Sequence, residues 1–130
     1  MAIDLFWDET VPQIVHYCFQ QGWTWEDFRK AALQEHQWGE ALADIRYDVI
    51  ADLSKATFPK GTPFSNIVRL FDQGPHNRKM IVVYGSPLAR AMIQIGVQLY
   101  PRIRGRFHAA NSLEEARQLI VSMRSNTNVG

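Results

Sequence analysis

Only one cysteine, Cys18, occurs in 130 residues. That excludes an intrachain disulfide framework and a multi-thiolate metal site. No apolar run approaches the roughly 20 residues that cross a bilayer, and the start Met1-Ala2-Ile3-Asp4 lacks the basic and apolar stretches of a signal peptide. An excess of either charge is also missing. Lys and Arg number 14 against 13 Asp and Glu, for a formal net charge of +1. Binding a nucleic-acid backbone calls for many clustered cations, so nucleic acid is not the expected partner. Internal repeats and low-complexity tracts are lacking, as are a phosphate loop and a dinucleotide fingerprint; Gly85-Ser86-Pro87 offers a single glycine. What is present is an ordinary globular balance, with 46% hydrophobic, 12% aromatic and 21% charged residues. One cytoplasmic domain over residues 1–124 is expected, with a frayed polar tail at 125–130 and no transmembrane segment.

Alternation of period places the elements. Ile3, Leu5 and Trp7 alternate, Asp8-Glu9-Thr10 reads as a turn, and residues 11–19 are β-branched and aromatic. Together they predict an antiparallel hairpin whose second strand, apolar on both faces, lies inside the sheet. Thr24 is a candidate N-cap with Glu26 and Asp27 in the first turn, and Phe28, Ala31, Ala32, Trp38 and Leu42 recur at helical spacing. Residues 47–53 and 79–84 read as buried parallel strands. Thr62 and Pro63 predict a helix over 64–72, Ser86 and Pro87 another over 88–100. A weaker strand over 104–109 leads through Ser112, capping-box partner of Glu115, into a helix over 113–123. The expectation is an α/β domain of order ββαβαβαβα, with a mostly parallel five-stranded sheet, an N-terminal antiparallel hairpin and four helices.

This order resembles the STAS domain of bacterial anti-sigma-factor antagonists and sulfate-transporter tails. The segment Asp52-Leu53-Ser54-Lys55-Ala56-Thr57-Phe58 is similar to the close of the third STAS strand. Gly22-Trp23-Thr24-Trp25-Glu26-Asp27-Phe28 resembles a segment of uncharacterised STAS-like bacterial proteins. The resemblance covers residues 3–123 and implies a bacterial regulatory domain acting through protein contact. Antagonists of the family carry an acidic-serine step before a phosphorylated hydroxyl. Here Pro59-Lys60-Gly61-Thr62-Pro63-Phe64-Ser65 takes that place, and Thr62 is the nearest hydroxyl. The fold is shared with CRAL-TRIO lipid carriers, which implies a small apolar or lipid ligand as the alternative use.

In a parallel sheet the turns after the strands collect along one edge. That edge would bring together Ser54, Thr62, Ser65, Ser86 and Ser112 as an anion-binding or phosphoacceptor rim, unless these residues serve only as helix caps. The histidines His16, His36, His76 and His108 are scattered, no metal-ligand spacing is present, and no cofactor is expected. Asp48 and Asp52 share a strand face roughly 13 Å apart, too far to share a proton. Cys18 reads as a small buried hydrophobe, and no catalytic residue is assigned. Arg102, Arg104 and Arg106 alternate and would form a basic patch on a strand face, serving an acidic partner or an anionic lipid surface, or protecting a sheet edge. On the helix over 88–100, Leu88, Met92, Ile95 and Leu99 are expected to face the sheet. Ile93, Val97 and Tyr100 would then be left over for a second subunit, an apolar ligand or a neighbouring helix. The sequence thus points to a non-enzymatic interaction domain, a homodimer through that helix, with a ligand carrier as the alternative.

Overall fold

The computed structural model describes residues 2–57, 69 and 73–128; side chains at 102 and 126–128 are left aside. Its elements are β1 (Ile3–Trp7), β2 (Ile14–Phe19), α1 (Trp25–Ala41), β3 (Tyr47–Asp52), β4 (Arg78–Tyr84), α2 (Pro87–Leu99), a 3-10 turn (Pro101–Ile103), β5 (Phe107–Ala110) and α3 (Leu113–Asn128). The five strands form one sheet in sequence order. β1 pairs antiparallel with β2, and β2 through β5 run parallel.

Local chemistry accounts for the joints. At the hairpin, Asp8 Oδ2 accepts from the Thr10 and Val11 amides at 3.0 and 2.7 Å, which closes the turn that the polar run suggested. Thr24 caps α1 in a reciprocal capping box with Asp27. The aromatic flank of that box packs onto β2: the Trp23 ring lies 4.8 Å from Phe19 and 6.2 Å from Phe28. The Trp-rich motif is thereby an anchor for α1.

The alternating faces of the strands bury two clusters. Val15, Tyr17, Phe19, Val49, Ala51, Ile81 and Val83 meet Phe28 and Ala31 of α1 and Ala89 and Ile93 of α2. Ile14, Ile50, Met80, Val82 and Ala110 meet Ala116 and Ile120 of α3 on the other face. Side-chain alternation along a strand gives this division.

Four expectations need correction. The described residues carry three α-helices in the order ββαββαβα, where four helices in ββαβαβαβα were expected. Of the helix expected over 64–72 only Arg69 lies among the described residues; it is helical, and its carbonyl accepts from the Gln73 amide at 3.1 Å. The strand expected over 104–109 starts only at Phe107. Pro101 instead begins a 3-10 turn, the Arg104 and Arg106 amides donate to the Pro101 and Ile103 carbonyls at 3.1 and 3.0 Å, and Gly105 takes a positive φ of 85°. Arg102, Arg104 and Arg106 therefore do not share a strand face.

The third correction concerns α2, whose faces are inverted. Ala89, Ile93 and Gly96 are buried, with Val97 and Tyr100 packed beside them. Leu88, Ile95 and Leu99, expected to face the sheet, are 59%, 56% and 67% exposed. Both stripes have helical spacing. The one containing Ala89 and Gly96 wins because short side chains let the helix settle close to the strands. The last helix also continues past the expected end at 123, to Asn128.

Candidate functional site

At the C-terminal edge of the parallel strands, Ser54, Ser86 and Ser112 each follow a strand end, as expected of a common rim. Thr62 and Ser65, the other two hydroxyls expected there, lie outside the described residues. Each placed hydroxyl already has work. Ser54 Oγ donates to Asp52 Oδ1 at 2.6 Å, Ser86 Oγ accepts from the Ala89 amide at 3.2 Å, and Ser112 Oγ accepts from the Glu115 amide at 3.1 Å. A shallow cavity of about 340 Å³ lies between Gly85, Ser86, Arg90 and Asn111, with Arg90 hydrogen-bonded to Asn111. Gly85 has a φ of 96° and its α-carbon abuts the Ser54 backbone, which brings the two turns together.

Asp52 organises the β2–β4 part of this rim. It accepts from the Ser54 amide at 2.8 Å and takes hydrogen bonds from Tyr84 and, at a long 3.9 Å, Cys18 Sγ. Burial, reinforced by the Asp52 carboxylate, pushes the Cys18 thiol and the Tyr84 phenol up. Cys18 is only half-buried, contrary to the inward position read from alternation, because its partner strands end beside this polar rim. A thiol held in its protonated form is a poor nucleophile.

The opposite edge, where the parallel strands begin, holds a larger basin of about 690 Å³ lined by Gln13, Arg46, Lys79, Met80, Gly105, Met123 and Arg124. Beneath it sits Asp48, its side chain fully buried. Asp48 Oδ2 accepts from Arg124 Nε at 2.8 Å, and Oδ1 accepts from the Met80 amide at 2.9 Å. Arg46 straddles both oxygens at 3.3 Å. Arg124 also donates to the Pro12 and Gln13 carbonyls, both at 2.8 Å, where Gln13 has a positive φ of 62°.

Two further polar clusters were not legible locally. Asp8 Oδ1 lies 2.5 Å from His16 Nε2 and 3.0 Å from Arg117 Nε, tying the hairpin to α3, and Phe6 stacks on the His16 ring. Burial alone would raise the Asp8 carboxyl. Hydrogen bonds from the Val11 amide, His16, Arg117 and the Thr10 amide outweigh it and hold the group well below the usual carboxylate range. In the interior, Glu35 is met by Tyr17, Tyr47 and Arg78. His76 and His108 serve locally, on Asp44 and the Gly105 carbonyl. Among the described residues no group of His, Cys, Asp and Glu is placed to hold a metal ion, and no helix is long and apolar enough to cross a membrane.

No family model matches the chain, and no curated protein matches it.

Proposed function

We propose that the chain is a non-enzymatic, STAS-like interaction domain of the bacterial cytoplasm that pairs with a second copy of itself through the outer face of α2. The observation in support is the row Leu88, Met92, Ile95 and Leu99, which recurs at helical spacing with three of its four members largely exposed. Large apolar side chains in a continuous row on a small domain lose free energy in water, at roughly 25 cal/mol per Å², and gain it back when a partner covers them. A second copy satisfies that demand with the same row, since a two-fold interface is self-complementary.

Sedimentation at micromolar concentration tests the reading. Dimer is expected for the native chain and monomer for Ile95→Asp, whose added charge faces solvent in the monomer. A monomeric native chain, or an Ile95→Asp dimer as tight as the native one, overturns it.

A further inference from the structure

We propose that the groove between α2 and the open edge of β5 binds an extended peptide of a partner protein, which joins the sheet as a further strand and sets a carboxylate against Arg90. The surface is distinct from the row proposed for pairing: Arg90, Gln94 and Gln98 recur at helical spacing on a separate strip of α2 from Leu88, Ile95 and Leu99.

The backbone comes first. The strand order ends at β5, so one side of that strand is a sheet edge. Along a strand, successive residues turn their amide and carbonyl to opposite sides. The Ile81 amide donates to the Arg106 carbonyl at 2.7 Å, which turns residues 106, 108 and 110 towards β4. The amide and carbonyl of Ala109 therefore point to the outer edge, where no strand among the described residues meets them. A donor and an acceptor so placed are matched by extended polypeptide backbone.

Shape comes second. The groove has a volume of about 430 Å³, with Gln94 and Gln98 of α2 along one side and Ala109 of β5 along the other. Val97 and Ala109, both part-exposed, give it a narrow apolar strip. Because strand side chains alternate, a docked peptide lays every second side chain on that strip and turns the others away. The glutamine amides are exposed and able to donate to and accept from the peptide.

Charge comes third. Arg90 lines the groove where β5 closes, since its guanidinium bonds Asn111, the residue after the strand. Arg90 is exposed, that partner is neutral, and among the described residues no carboxylate pairs with it. No Asp or Glu is among the groove's lining residues, and His108, its other titratable member, is tied to the Gly105 carbonyl. A carboxylate arriving with the peptide thus meets an arginine that has no competing counter-charge.

The test is amide chemical-shift mapping and hydrogen exchange of the full chain with acetyl-Glu-Val-Thr-Val-Glu-amide, with acetyl-Lys-Val-Thr-Val-Lys-amide, and with the glutamate peptide N-methylated at its three central amides. Glutamate at both ends brings a carboxylate to Arg90 whichever way the added strand runs. Saturable binding of the glutamate peptide is expected, with shifts centred on Gln94, Val97, Gln98 and Ala109 and slower exchange of the Ala109 amide. The lysine and methylated peptides should bind at least about tenfold more weakly. Arg90→Glu, a change at an exposed position whose native-like amide spectrum verifies folding, should reverse the preference between glutamate and lysine peptides. If that variant fails to fold, the three peptides on the native chain decide. The proposal is overturned by absent saturation, by equal binding of the methylated peptide, by unchanged exchange at Ala109, or by an unreversed preference in folded Arg90→Glu. Shifts confined to Leu88, Ile95 and Leu99 overturn it too, because the peptide then lies on the outer row of α2.

Discussion

Arg78 Nη1 donates to Glu35 Oε1 at 2.7 Å with both side chains sealed from water, at 1% and 0% exposure. The tyrosines complete the site: Tyr17 donates to Oε1 at 3.0 Å and Tyr47 donates to Oε2. Burial, and after it the Glu35 charge, pushes both phenols up, so they remain protonated donors through the neutral and mildly alkaline range. Removing one member of such a set leaves the opposite charge buried without its counter-charge. Glu35→Leu should therefore cost about 3–5 kcal/mol in urea unfolding. Adding Arg78→Met should restore a large part of that, because the apolar pair carries no stranded charge. Equal losses in the single and double variants would show that packing, not charge, sets the cost.

Gly39→Ala makes a prediction opposite to helix propensity. In an exposed helix interior the change gains about 1 kcal/mol. At Gly39, however, an added Cβ would stand 2.6 Å from Tyr47 Cζ, and the Tyr47 ring is fixed by its bond to Glu35. Net destabilisation of about 1–3 kcal/mol is expected in thermal unfolding. A stabilised variant would mean that the ring can move aside at no cost.

Gly39 also shows where legibility ends. From sequence it only weakens a helix, whereas in the fold it is the gap that admits Tyr47. The first four strands, the hairpin, the Thr24 cap and the placement of Ser54, Ser86 and Ser112 are legible because each is written in a few neighbouring residues. The faces of α2 are not, because two stripes of equal period compete and only the tertiary fit of Ala89 and Gly96 decides. The basin at the opposite edge is further out of reach: Arg124 meets Asp48 across 76 residues, and Arg117 meets Asp8 across 109. No local spacing records such pairs.

His36 gives the chain an acid sensitivity at mildly acidic pH. It is half-buried, its Nε2 has no hydrogen-bond partner among the described residues, and burial lowers its titration below 6.5, with Glu35 opposing and Arg78 assisting. The folded state thus disfavours the imidazolium relative to the unfolded chain. Stability is complete above 6.5 and declines as pH falls through that value towards the lower folded one. His36→Leu should flatten the decline between about pH 7.5 and about pH 5. A decline of equal slope in the variant would assign it to another group.

Asp8 acts in the other sense and in another window. Because its folded carboxyl titrates below 3.8, its contribution is present above 3.8 and is lost as pH falls beneath it. Asp8→Asn removes the charge that His16 and Arg117 share, so faster amide exchange is expected at the Thr10–Val11 turn and in the Arg117 turn of α3 at neutral pH. Between pH 3.8 and more acid values the variant should lose less stability than the native chain. Unchanged exchange in α3 would mean that Arg117 contributes no tie between the hairpin and the helix.

Two isoleucines two residues apart on α2 separate folding from association. Ile93 is 6% exposed and packed with Phe107 and Ile81 in the same cluster, while Ile95 is 56% exposed on the outer row. An aspartate at 93 would place a carboxylate among apolar side chains with no partner, and such burial costs several kcal/mol, comparable to the whole stability of a small domain. Ile93→Asp should therefore unfold the chain or leave it without a cooperative transition in circular dichroism. Ile95→Asp should keep the native spectrum, and its monomer should unfold within about 0.5 kcal/mol of the native monomer. Measured at dilutions where both chains are monomeric, that comparison isolates the fold from the interface. A folded Ile93→Asp beside an unfolded Ile95→Asp would mean that α2 sits on the sheet by the opposite stripe.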